Sequence, residues 1–282
     1  MTPTTAAAVR DDRRSREAAL VRRLRGLTSV VVAYSGGVDS AYLAWAAHRV
    51  LGPRALAVTA DSASYPTRHR EMALRIAREF AFPHEIIQTA ELDRPEYRAN
   101  APDRCYHCKN ELFTHLARLA GDRGFAAVVD GSNADDRGDY RPGRRAAREF
   151  GVLSPLDEAG LTKDDVRALS HEAGLPTWDQ PASACLSSRI PYYSEVTADK
   201  LRVIERAEDA VRALGFRVLR VRHHGDIARL EVAPDEMPRL LDAAVAAEVD
   251  RALRALGFRF VTVDLKGYRL GSLNEGVVLR SV

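Results

Sequence analysis

Short apolar runs at about 29–33, 54–59, 84–88, 126–130 and 152–153 alternate with longer stretches whose apolar residues recur at helical spacing. That alternation predicts βαβ units with right-handed crossovers and a parallel sheet. The helix expected at 162–173 is marked at both ends, by the capping-box pair Thr162 and Asp165 and by the stop at Gly174. Near Ser194 the pattern changes to helix, hairpin, helix, strand. An internal echo supports this: Arg-Ala-Leu-Gly-Phe-Arg occurs at 212–217 and again at 254–259, each time a helix end with a glycine leading into a strand. We therefore expect an α/β protein, with a doubly wound parallel sheet over 1–194 and a smaller C-terminal α+β domain over 195–282 built on one mixed sheet. A chain of 282 residues that is 46% hydrophobic can fill both cores.

Charge narrows the function. The 42 basic and 39 acidic residues leave a net charge of +3, and the two signs are interleaved, so no long basic stripe stands out. This argues against nucleic acid as a partner, and so against tRNA thiolation, which must neutralise many phosphates. The arginine-rich stretch 1–25 has no apolar core of signal-peptide length, and no later apolar run is long enough to span a bilayer. A cytoplasmic protein with no membrane partner and reduced thiols is expected.

The first chemistry lies between the strand at 29–33 and an alanine-rich helix, in Ser35-Gly36-Gly37-Val38-Asp39-Ser40. Two glycines let the backbone turn sharply, successive N–H groups and the hydroxyls of Ser35 and Ser40 face inward, and the helix start points its positive end at the same place. The natural guest is a nucleotide phosphate. The corner has no lysine and is not the loop of G-x-x-x-x-G-K-[ST]. Asp39 is either a magnesium or hydrogen-bonding residue or the N-cap of the helix. Gly131 to Asp136 falls at the end of the strand at 126–130, where doubly wound sheets bind ligands, which places Ser132, Asn133 and Asp136 near the nucleotide. The same run is also good turn chemistry. Arg141 and the arginines after it either meet phosphate or solvate a helix face.

The second chemistry is sulfur. Only three cysteines are present, Cys105 and Cys108 in a C-x-x-C opening a helix that runs to about Arg123, and Cys185 between Pro181 and Pro191. In a reducing compartment such a pair reads as a metal or redox site. Cys185 would be a third ligand, with His84, His107 or His115 completing a zinc site, or with an iron–sulfur cluster leaving one iron open. The prolines and small residues around Cys185 predict a non-helical loop that offers its thiol, with Arg189 close enough to stabilise a thiolate or a phosphate. In the second domain Arg220 and Arg222 fall on one face of a strand and either grip one phosphate or form a solvated exterior.

The Ser-Gly-Gly-x-Asp-Ser loop resembles the signature of the PP-loop ATP pyrophosphatases, the adenine nucleotide alpha hydrolase-like fold. These enzymes cleave ATP between the α and β phosphates and activate an oxygen with AMP. With 103–109, 131–143, Cys185 to Pro191 and 267–275 added, the chain resembles the LarE family of ATP-dependent sulfurtransferases in nickel-pincer cofactor biosynthesis, in its three-cysteine type. The resemblance implies adenylation of a pyridinium dicarboxylate mononucleotide with ATP and Mg²⁺, and sulfur transfer at Cys185. It also implies a 4Fe-4S cluster on Cys105, Cys108 and Cys185, a sulfide donor, and a homo-oligomer. In single-cysteine relatives the loop cysteine gives up its own sulfur and ends as dehydroalanine.

Overall fold

The computed structural model describes residues 3–138, 142–181, 184–269 and 271–272, the side chains of 3–10 and 138 excepted. Asp139, Tyr140, Arg141, Ala182, Ser183, Leu270, Leu273, Asn274 and Glu275, all within the segments read above, lie outside the described residues. The chain divides into two compact units: Met1–Ser62, Thr67–Ala90 and Cys105–Gln180 form the first, and Ala63–Pro66, Glu91–Arg104 and Pro181–Val282 the second. The sequence suggested one cut near Ser194. The units interleave instead, because two short segments from the first part of the chain make their contacts with the last third.

The first unit holds four parallel strands, β1 (Val30–Ala33), β2 (Ala55–Asp61), β3 (His84–Gln88) and β4 (Ala127–Val129), in the order β3-β2-β1-β4. Leu153 adds a parallel bridge to Val129, where a fifth strand was expected. Its helices are α1 (Pro3–Leu27), α2 (Val38–Leu51), α3 (Thr67–Glu79), α5 (Arg104–Arg123, whose first residue belongs to the second unit), α6 (Pro142–Glu149), α7 (Pro155–Glu158) and α8 (Lys163–Glu172), while the short α4 (Pro95–Arg98) falls in the second unit. Strand side chains alternate between faces. Val30, Val32, Ala55 and Ala57 therefore pack with α1, α2, α3 and α8, while Val31, Ala33, Leu56 and Val58 pack with α5 and α6. Burial on both faces explains why these strands read as unbroken apolar runs. The Thr162 capping box forms as expected, with Asp165 N on the Thr162 hydroxyl at 3.2 Å and the Asp165 carboxylate returning to Thr162 N at 3.2 Å.

The second unit has α9 (Ala198–Ala213), the antiparallel pair β5 (Leu219–His224) and β6 (Ile227–Val232), α10 (Met237–Leu240), α11 (Ala243–Arg254) and β7 (Phe260–Val263), which runs parallel to β6. This is the expected mixed sheet. One face carries Leu219, Val221, Ala228 and Leu230 against α9 and α11. The other carries Arg220, Arg222 and Glu231, all buried.

Candidate functional site

At the end of β1 the chain is pinned before it turns: Tyr34 N donates to Val58 O at 2.9 Å, and the Tyr34 hydroxyl donates to Ala73 O at 3.2 Å. Gly36 then takes φ +67, with Ala73 so near that an added Cβ would lie 3.0 Å from its Cβ. Both facts require glycine there. Gly37 is the N-cap of α2, and no side chain caps that end, which leaves first-turn N–H groups for a ligand. The Ser40 hydroxyl accepts from Ser35 N at 3.1 Å, lies 3.1 Å from Ser35 Oγ and donates to Gly37 O at 3.1 Å, which fixes the loop from inside.

Asp39 is not the N-cap; it stands in the first turn of α2. Its carboxylate accepts from Asn133 Nδ2 at 3.2 Å and forms an ion pair with Lys163 Nζ. The end of β4 comes against the loop so closely that a Cβ on Gly131 would lie 2.9 Å from Ser40 N. Asn133 accepts from Asp135 N at 3.0 Å, and its own N–H donates to Asp136 at 3.1 Å. Ser132 is tied through its amide and hydroxyl to Asp130, both at 3.1 Å. The structure thus brings Ser35, Gly36, Gly37, Asp39, Ser40 and Asn133 together. Asp136 serves as a buried turn partner, and Ser132 faces Asp130.

Lys163 is the residue that sequence reasoning missed. It opens α8 directly after the Thr162 cap, and its amide donates to Asp135 at 2.8 Å. A cation in the first turn of a helix opposes the helix dipole. That unfavourable placement was the available signal.

Cys105 and Cys108 stand in the first turn of α5 on one side of the helix, Cys105 exposed and Cys108 half-buried. The turn is braced by Tyr106, whose hydroxyl donates to Glu149 at 2.7 Å and whose ring lies 4.2 Å from the Arg145 guanidinium. His84 meets the Thr59 hydroxyl at 2.8 Å, and burial lowers its pKa; His115 meets Glu111 at 3.2 Å. Among the described residues no group of three or more His, Cys, Asp or Glu is arranged to hold a metal ion. Two thiols on one helical turn fit two corners of a cluster.

In the second unit, Cys185 is half-buried and is the N-cap of a single 3-10 turn, Leu186–Arg189, where a wholly non-helical loop was expected. Four residues make a short turn because small side chains at Ser187 and Ser188 allow it, and Ser188 N and its hydroxyl both return to Cys185 O, at 3.0 and 2.8 Å. Arg189 is buried. Its Nε and Nη2 donate to Glu208 at 2.8 and 3.1 Å, and Nη1 donates to Ala184 O and Cys185 O, each at 2.7 Å. Burial alone would raise the Glu208 carboxyl, but Arg189, with Arg220 and Arg212, holds it down at about 2. Arg220 and Arg222 share a face as expected, yet that face is buried and not a solvated exterior. Arg222 donates to Ser188 O, Glu231 and the Ser272 hydroxyl, all at 2.7 Å. Arg220 donates to Leu219 O at 2.7 Å and lies 5.0 Å from the Tyr268 ring; burial, with Arg189 adding to it, pushes its pKa down to about 10.

The asparagine synthase family model matches residues 13–136. An uncharacterized protein of Synechocystis sp. is 44% identical over 249 residues, covering 88% of this chain and 93% of that protein. Pyridinium-3,5-bisthiocarboxylic acid mononucleotide synthase of Lactiplantibacillus plantarum is 40% identical over 263 residues, covering 93% and 94%. An uncharacterized protein of Methanocaldococcus jannaschii is 26% identical over 240 residues, covering 85% and 90%.

Proposed function

Because the chain belongs to the LarE family of pyridinium-3,5-bisthiocarboxylic acid mononucleotide synthases, and is an ATP-dependent sulfurtransferase, we propose that its Ser35–Ser40 corner binds ATP while Cys185 is the residue at which sulfur is transferred. The substrate is pyridinium-3,5-biscarboxylic acid mononucleotide, and the product a thiocarboxylate on the way to a nickel-pincer cofactor. The observation that carries this reading is the uncapped start of α2 behind a glycine corner, with Asp39 and Lys163 paired beside it.

A carboxylate resists attack because its carbon is electron-rich and oxide leaves badly. Its oxygen therefore attacks the α-phosphorus of ATP, the bond to the β-phosphate oxygen breaks, and pyrophosphate leaves. Free N–H groups of α2 and the Ser35 hydroxyl bind the departing phosphates. Mg²⁺ would neutralise phosphate charge. Asp39 fits such an ion only if Lys163 turns to a phosphate, since its carboxylate is otherwise shared between Lys163 and Asn133. Sulfur then attacks the acyl carbon and AMP departs.

Two sources of that sulfur are chemically balanced. If Cys185 is the donor, its thiolate forms a thioester; loss of the cysteine Cα proton and cleavage of its Cβ–S bond then release the thiocarboxylate and leave dehydroalanine. A 4Fe-4S cluster held by Cys105, Cys108 and Cys185 would instead supply sulfide sulfur, replenished by an external sulfide donor. The C-x-x-C on one turn of α5 supports the second source.

Two experiments test the assignment. Cys185→Ala should abolish sulfur transfer while substrate-dependent AMP formation persists, and full activity in this variant refutes the role of Cys185. Mass spectrometry after turnover, with iron and sulfide analysis of anaerobically prepared protein, separates the sources: a loss of about 34 Da at Cys185 marks sacrifice of the residue. An intact Cys185 with bound iron and sulfide marks the cluster.

A further inference from the structure

Main-chain carbonyls around Cys185 are gripped by guanidinium groups from separate parts of the second unit. Arg189 takes Ala184 O and Cys185 O, each at 2.7 Å. Arg104, the first residue of α5, takes Ser187 O at 2.9 Å, and Arg222 on β5 takes Ser188 O at 2.7 Å. Arg189, Arg104 and Arg222 show only 2%, 5% and 5% exposure respectively. Each is anchored from behind. Glu208 holds Arg189 through both its oxygens, Glu231 holds Arg222 at 2.7 Å, and the Asn100 side chain accepts from Arg104. Asn100 also donates to Pro191 O at 2.8 Å, which closes the far end of the loop.

An arginine set out to bind a substrate phosphate keeps an edge of its fork open, because planar bidentate pairing is the source of its advantage. Arg189 has no such edge: all three of its nitrogens already donate within the protein. Burying several like charges is costly, and the fold offsets that cost with carboxylates that hold Arg189 and Arg222 in place. A rigid donor aimed at a carbonyl fixes a peptide plane. Fixing consecutive peptide planes on both sides of a residue fixes the direction of its Cα–Cβ bond.

We propose that Arg189, Arg222 and Arg104 are positioning residues that brace the backbone of the cysteine loop and so set the direction of the Cys185 thiol. For Arg189 this replaces the contact with a ligand phosphate that the sequence offered beside a thiolate-stabilising role. It rests on the reading of Cys185 as the site of sulfur transfer.

The test uses Arg189→Lys and Arg222→Lys in the full chain. Lysine keeps the charge but offers one nitrogen, so it cannot span a carboxylate and two carbonyls. Hydrogen exchange of 184–191 should accelerate about tenfold or more in each variant while α9 and β5–β6 stay unchanged, as expected for loss of a local brace. The rate at which iodoacetamide alkylates Cys185 should shift as well. The single-turnover rate of sulfur transfer should fall by about tenfold or more with KM for the pyridinium mononucleotide within about threefold. Unchanged loop exchange with KM raised about tenfold or more would overturn the proposal in favour of a phosphate grip. Faster exchange throughout α9 and the sheet in both variants would also overturn it, by making the arginines general core struts. Exchange and alkylation need no substrate: if both behave as expected but wild type never turns over the pyridinium compound, the brace stands and the functional reading falls.

Discussion

In the corner after β1, the charged pair Asp39 and Lys163 shows side-chain exposures of 21% and 33%, whereas Arg189 and Glu208 beneath the cysteine loop show 2% and 3%. The first pair is partly exposed and so partly screened, and ion pairs open to solvent contribute about 0–1 kcal/mol. Either member can be re-partnered by an incoming phosphate or metal ion at small cost. The second pair has no such freedom, since removing one member strands the other in a medium that cannot solvate it. One region is suited to exchanging partners during a reaction and the other to keeping them. Glycines and an uncapped helix start do the positioning in the first region; buried salt bridges do it in the second.

Breaking the backbone device should have the largest effect. Gly36→Val combines a forbidden φ of +67 with a Cβ pressed against Ala73, so ATP-dependent AMP formation should drop by about 100-fold or more. Retained adenylation would show that the corner is not the nucleotide site. Next comes the buried network. Glu208→Ala leaves buried Arg189 without its carboxylate, while Arg212 keeps Asp209, and should cost about 3–5 kcal/mol in chemical denaturation. The same carboxyl predicts a pH dependence. Burial alone would raise it, but Arg189, Arg220 and Arg212 hold it at about 2, below the ordinary 4.5. A depressed folded-state value means that its stabilisation is complete above about pH 4.5 and is lost as pH falls toward about 2. The acid-unfolding curve of Glu208→Gln should lack that part of the wild-type slope.

Two smaller effects sharpen the contrast. Lys163→Gln should weaken ATP binding by about tenfold in calorimetry with little change in melting temperature, because a partly exposed pair contributes little to folding and can be re-partnered by a ligand phosphate. A large fall in melting temperature would make Lys163 a structural residue. Thr162→Ala removes only the cap of α8 and should cost about 1 kcal/mol in denaturant titration.

The corner was legible in the sequence because its parts are consecutive: Ser35 to Ser40 supply the turn, the donors and the helix start within one short run. The capping box at Thr162 and Asp165 was legible for the same reason. The alternating apolar runs revealed the parallel sheet, since burial on both faces leaves a continuous apolar signature in the central strands β1 and β2. Lys163 was missed because its partner Asp39 is remote in the chain, and its unfavourable place in the first turn of α8 points to a partner without saying which. The brace around Cys185 is harder still. Asn100, Arg104, Arg189, Glu208, Arg222 and Glu231 meet only through folding, and an arginine alternating along β5 looks the same whether it faces water or a buried carboxylate. The change of pattern near Ser194 was legible, whereas the contacts of 63–66 and 91–104 with the later part of the chain left no periodic trace.

The most direct measurement is pyrophosphate exchange into ATP by wild-type protein, run with and without pyridinium-3,5-biscarboxylic acid mononucleotide and followed by mass spectrometry of the pyridinium product. Exchange that depends on the pyridinium compound, with AMP release and sulfur in place of a carboxylate oxygen, is the predicted result. Exchange indifferent to that compound, or a product that keeps all its oxygens under anaerobic conditions with sulfide supplied, would contradict the account.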